Sequence, residues 1–170
     1  RLYFRVSVAG QTAALKELRF ANNEITSMFR APISLNSPFG ETSDVEIRNN
    51  RLKDNFGKTT GGTDTYSIGT GSGKRVRVLG NDISGAGDGV HVEEAAEDQI
   101  ISENTLALTD ADAEAFFVTD NNIGTGSYVA PNNINIINNI AKGPGSGTAT
   151  KFGVRLVNNT SGTAPVKGIR

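Results

Sequence analysis

The sequence has no cysteine and no tryptophan, and only one histidine and one methionine. Without cysteine there is no disulfide framework, no thiolate metal site and no cysteine nucleophile, and a disulfide-free fold suits secretion and the cytosol alike. An excess of one charge is missing too: 17 Lys plus Arg stand against 18 Asp plus Glu, a formal net charge of −1. That balance offers no general attraction to nucleic acid or to an anionic membrane surface. No apolar run approaches the roughly 20 residues of a membrane span, so no membrane insertion is expected. No signal peptide is visible, and a start at Arg1 reads as a trimmed or processed end.

What is abundant says more. With 20 Gly, 17 Asn, 16 Thr and 12 Ser, helix formers are sparse. The apolar residues alternate in short runs, which indicates many short strands between polar turns and not disorder. The 170 residues fit one domain, 1–170, or a fragment of a larger one.

One segment recurs. Leu18-Arg-Phe20-Ala-Asn22-Asn23-Glu-Ile25 returns as Val45-Glu-Ile47-Arg-Asn49-Asn50-Arg-Leu52 and as Val76-Arg-Val78-Leu-Gly80-Asn81-Asp-Ile83. It returns again as Gln99-Ile100-Ile101-Ser-Glu103-Asn104-Thr-Leu106 and as Ile134-Asn-Ile136-Ile-Asn138-Asn139-Ile-Ala141. Between these copies lies a second motif, an apolar alternation: Ile33/Leu35, Tyr66/Ile68, Val90/Val92, Phe116/Val118 and Val154/Leu156, with Val6/Val8 opening the series. Spacing of i, i+2 puts both members on one face of a strand. Each repeat reads strand, turn, strand, Asn turn, short strand, loop. Such a unit cannot bury its apolar face alone, and parallel stacking of repeats makes one continuous apolar column. Asn suits the sharp bend because it tolerates the left-handed conformation, and stacked Asn amides can hydrogen-bond from repeat to repeat.

The repeat V-x-I-x-x-N-x-I, preceded by G-V-x-V as in Gly89-Val90-His91-Val92, resembles right-handed parallel β-helix proteins, the pectate-lyase-like superfamily that includes bacteriophage tailspikes. The resemblance covers nearly the whole chain and implies an all-β fold, a right-handed parallel β-helix solenoid of about five to six coils, roughly 25–30 Å of column. The strand-like residues at both ends, Leu2 to Val8 and Val166 to Arg170, read as a column cut at one or both ends. The motif is made of core and turn residues, so it is not specific for function.

If the pairs face inward, Ser34, Ser67, His91, Phe117 and Arg155 form one exposed row, flanked by Asn36, Gly69, Glu93, Thr119 and Val157. The resemblance implies that a saccharide groove runs along this first sheet, and such a row mixes an aromatic for stacking with polar groups for hydroxyls and carboxylates. A further register holds Ala31, Asp64, Asp88, Glu114 and Phe152. Carboxylates in adjacent repeats would stand roughly 5 Å apart, as in a retaining glycosidase, or would share a calcium ion. The candidate catalytic residues are therefore Asp88, Glu114, His91, Glu93 and Arg155, with His91 or Arg155 as base or charge neutraliser on a uronic acid. The candidate substrate-binding residues are Phe117, Ser67, Asp64 and Tyr128, the last in the long insertion 120–133.

Plainer readings exist for each. Asp64 sits in a Gly-rich turn, Glu93-Glu94-Ala-Ala-Glu97-Asp98 reads first as a solvated turn, and Arg155 can simply pair with a neighbouring acid. Gly69-Thr-Gly71-Ser-Gly73-Lys74 lacks the spacing of a phosphate loop, and no T-x-T array suggests an ice-binding face. The functional expectation is a polysaccharide-recognising β-helix, extracellular or on a virion surface. It would work as a hydrolase, a lyase or, on Asp88-Gly-Val-His91, an epimerase. The rival is a non-enzymatic shaft or adhesive module, for which a homotrimer would suit.

Overall fold

The computed structural model describes residues 15–28, 31–35, 42–55, 65–110, 113–122, 128–143, 153–157, 168 and 170. Among them there is no helix, and so none long and apolar enough to cross a membrane. The chain makes repeated passes through three sheets whose strands are all parallel. The first pass holds β1 (Leu15–Lys16), β2 (Arg19–Ala21) and β3 (Glu24–Thr26). The second holds β4 (Ile33–Ser34), β5 (Thr42–Ser43), β6 (Glu46–Arg48) and β7 (Arg51–Asn55). The third holds β8 (Tyr66–Gly69), β9 (Gly73–Lys74), β10 (Arg77–Leu79) and β11 (Asp82–Gly85). In the fourth, β12 (Asp88–Val92) leads to a single long β13 (Glu97–Ser102) and to β14 (Thr105–Leu108). In the fifth, β15 (Phe116–Thr119) is followed by an antiparallel pair, β16 (Asn121–Asn122) and β17 (Tyr128–Val129), then by β18 (Asn132–Ile137) and β19 (Ile140–Lys142). The chain re-enters the first sheet as β20 (Val154–Val157).

The sheets follow from this order. The first contains β4, β8, β12, β15 and β20; the third contains β3, β7, β11, β14 and β19. The second collects the remaining parallel strands, with β13 bridging two shorter ladders, β1–β5–β9 and β2–β6–β10, and pairing with β18. Stacking is in register. Phe20, Ile47, Val78, Ile101 and Ile136 form one inward row of the second sheet. Ile25, Leu52, Ile83, Leu106 and Ala141 form that of the third. Ile33, Ile68, Val90, Phe116 and Val154 form that of the first. Period-two strands supply one apolar side chain per face, and in-register stacking merges these rows into one cluster, except at the last pass, where Ala141 and Val154 are exposed.

Bends between strands are made by left-handed residues. Between the two ladders of the second sheet these are Glu17, Asp44, Arg75, Asp98 and Asn133, with φ of 53–59°, and Gly168 takes the same place at 64°. Between the second and third sheets they are Asn22, Asn49, Gly80, Glu103 and Asn138. The bend residue is thus the one before the repeated Asn, which corrects the expectation that the repeated Asn itself adopts it. For Asn22, Asn49 and Gly80, the N–H still reaches a carbonyl of the next pass, at 3.0–3.2 Å, which offsets the conformational cost.

The repeated Asn does form the expected ladder. Nδ2 of Asn23, Asn50, Asn81 and Asn104 each donates to Oδ1 of the next Asn at 2.9–3.0 Å, ending on Asn139. Each of these oxygens also accepts the backbone N–H of the preceding Asn, at 2.9–3.0 Å. The second amide hydrogen of Asn50, Asn81, Asn104 and Asn139 goes to a carbonyl of the pass before, those of Phe20, Ile47, Val78 and Ile101. An Asn in the middle of the ladder therefore uses both amide hydrogens and both lone-pair positions, as a buried amide must.

Candidate functional site

The first sheet turns the residues between its inward pairs to its outer face, and register fixes which of them meet. Ser34 stands opposite Gly69, Gly69 opposite His91, His91 opposite Phe117, and Phe117 opposite Arg155. The expected row put Ser67 at the second position; Gly69 holds it instead. The cause is Tyr66. A Cβ on Gly69 would lie 2.4 Å from Cε2 of Tyr66, so the tyrosine ring lies over the glycine on the outer face and does not join the core. Tyr66 is buried but is not part of the apolar cluster, and Ile68 takes the inward place opposite Val90.

The outer face thus carries a stacked row along the column. Tyr66 meets His91 edge-on with centroids 5.0 Å apart, and His91 lies against Phe117 at 4.7 Å. The guanidinium of Arg155 sits over the Phe117 ring, 5.1 Å from its centroid, at cation–π distance. The hydroxyls of Ser34 and Tyr66 are 3.4 Å apart. Exposure divides the row. His91 is 3% exposed and Ser67 1%, so neither belongs to an open groove, contrary to the expectation of an exposed row. Phe117 is half-buried and the Arg155 side chain is 39% exposed, which makes them its accessible end.

Asp88 and Glu114 lie on neighbouring passes, joined by the Glu114 N–H donating to Asp88 Oδ1, and both are buried. Their first oxygens are committed: Oδ1 of Asp88 accepts the backbone N–H of Glu114 at 2.8 Å, and Oε1 of Glu114 accepts Nη1 of Arg155 at 2.7 Å. Asp88 stands opposite Tyr66, and Asp64 lies outside the described residues. Among the described residues no three His, Asp or Glu side chains form a group that could hold a metal ion.

Glu93 follows β12 with Oε2 3.5 Å from Nε2 of His91. Its neighbour Glu94 forms the corner with φ of 61°, and Ser72 makes the equivalent corner one pass earlier with φ of 56°. Ser72 Oγ donates to Glu94 Oε2. Glu94 is buried, and Glu97 and Asp98 already belong to β13, so of the solvated turn expected for this acidic stretch only the exposure of Asp98 holds. Burial raises the Glu94 carboxyl above the ordinary glutamate value, with Ser72 opposing and Glu93 adding to the rise. Gly71 makes room for the pair: its added Cβ would meet Glu93 Cγ at 3.1 Å. Tyr128 lies in β17, paired with Asn122 in the inserted hairpin between the first and second sheets.

The sequence pattern missed Tyr66, Ser72 and Glu94. For Tyr66 a signal existed: a glycine three residues on leaves space for a ring turned back along the strand. No family model matches this chain, and no curated protein or solved structure matches it.

Proposed function

We propose that the chain is a segment of a right-handed parallel β-helix of about five to six coils that recognises a polysaccharide along the outer face of its first sheet. The handedness rests on the general right-handedness of crossovers between parallel strands. The observation that carries the function is the row Tyr66–His91–Phe117–Arg155, aligned with the column and open at Phe117 and Arg155. An extended polymer meets a ladder of groups repeated along one axis better than a compact ligand does. Ring edges and guanidinium N–H groups suit sugar C–H and hydroxyl groups. An extracellular or virion-surface setting and a homotrimer, as in tailspike-like proteins, belong to the same reading.

Recognition is favoured over turnover. Asp88 and Glu114, the pair suited to hydrolysis, are 1% and 0% exposed, and each spends an oxygen on a protein donor. The same burial supports a second reading, a non-enzymatic shaft or adhesive module in which the two carboxylates organise the strands. A depolymerisation screen on neutral and acidic polysaccharides, following reducing ends and the absorbance of unsaturated products, together with a pull-down on the same polymers in insoluble form, separates the cases. Reducing ends alone indicate a hydrolase, both signals a lyase. Binding without either signal is the expected result, and neither binding nor product leaves the shaft.

A further inference from the structure

We infer that the polymer recognised by this face is a neutral glycan and not a polyuronate or a sulfated chain. The inference rests on the saccharide reading above and concerns its charge class. Among the described residues Glu93, Glu94 and Glu114 stand at the outer face and adjoining corner of the first sheet, with the buried Asp88 bonded to the Glu114 backbone, against Arg155 and the single His.

The decisive group is Arg155. A uronate or sulfate needs an uncommitted cation, and this guanidinium is held from two sides: its edge by Glu114 Oε1 at 2.7 Å, its face by the Phe117 ring at 5.1 Å. Glu114 is fully buried and cannot move out to solvent with its partner. Drawing Arg155 toward an incoming anion would leave that carboxylate buried and unpaired, a costly state. An anion that shared Arg155 in place would lie beside Glu114, with Asp88 one strand away and Glu93 on the same face. Like charges at such spacing repel, most strongly at low ionic strength. A neutral sugar meets no such penalty. The guanidinium hydrogens left over by Glu114 donate to hydroxyls, and the half-buried ring offers apolar contact. The carboxylates thus act as a filter on ligand charge, which is specificity by exclusion.

The test is affinity electrophoresis of the full chain through gels containing dextran, mannan or galactan, and through gels containing polygalacturonate, alginate or heparin, each at low and high salt. The expected result is retardation by at least one neutral polymer, similar at both salt levels, and none by the anionic set. Retardation by an anionic polymer that salt abolishes would overturn the charge assignment while leaving saccharide recognition standing. Retardation by no polymer would overturn both. A Glu114→Gln variant keeps the shape and the acceptor for Arg155 Nη1 but removes the negative charge beside the guanidinium; it is expected to gain roughly tenfold in affinity for polygalacturonate at low salt. Glu93→Gln, on a side chain outside the Arg155 pair, gives a smaller gain in the same direction. A folded Glu114→Gln variant with no gain would refute the role given to Arg155 and Glu114.

Discussion

Replacing Asn81 with Ala removes the centre of the amide ladder, and the structure allows its cost to be worked out. The side chain donates to Asn104 Oδ1 at 2.9 Å and to the Ile47 carbonyl at 3.0 Å. Its oxygen accepts the backbone N–H and the amide of Asn50, both at 3.0 Å. Alanine leaves the Asn50 N–H and one Asn50 amide hydrogen without acceptors in a buried place. At roughly 1–3 kcal/mol for each orphaned group, the expected loss is about 4 kcal/mol. Asn23 is the contrast. It is exposed, and its side chain makes one ladder bond, to Asn50, so Asn23→Ala is expected to cost about 1 kcal/mol. Urea unfolding of the full chain measures both, provided the slope with denaturant is unchanged. Equal costs for the two variants would refute the claim that the ladder stabilises by satisfying buried groups.

Other substitutions probe other parts. Gly89→Ala would place a Cβ 2.2 Å from Leu106 Cδ2 and 2.4 Å from the Ala115 carbonyl oxygen, and thermal unfolding should show a loss of about 3 kcal/mol. Arg155→Met leaves Glu114 buried without its cation and should cost about 3 kcal/mol, much of it recovered in the double variant Arg155→Met, Glu114→Leu; no recovery would show that the pair is not coupled. Glu94 has its folded-state pKa above its unfolded value, so its contribution is fully present at acid pH and is lost as pH rises through the folded value. Glu94→Gln should therefore gain stability relative to the parent from acid to neutral pH, and a flat difference across that range would contradict the burial argument.

The column was legible because its signal repeats: an Asn at a fixed place and an apolar pair at i, i+2 are demands that every pass makes alike. The outer face was less legible for physical reasons that particular residues illustrate. Tyr66 counts as apolar in an alternation, yet its ring folds outward over Gly69, which shifts the reading of that strand by two residues. The bends at Glu17, Asp44, Arg75, Asp98 and Asn133 share a conformation but mix acidic, basic and amide side chains, so no single residue type announces them. At one of them Arg75 and Asp44 pair through two bonds of 2.7 and 2.9 Å, which holds the Asp44 carboxyl below its ordinary value. Burial of His91, Asp88 and Glu114 depends on what packs around the sheet, and alternation along a strand carries no information about that.

The amide ladder also sets where the chain tolerates a change of length. From the second sheet to the third, every pass uses two residues: 22–23, 49–50, 80–81, 103–104 and 138–139. From the third sheet to the first, the connection ranges from two residues, 86–87, to eleven, 143–153. An insertion at the Asn corner would displace an amide from its neighbours and sever the ladder on both sides. An insertion between third and first sheets lengthens a loop beside the column and costs little more than closure entropy. The molecule thus separates a corner that admits no added residue from an edge where loops can be exchanged, and grafted loops would all emerge beside the same sheet.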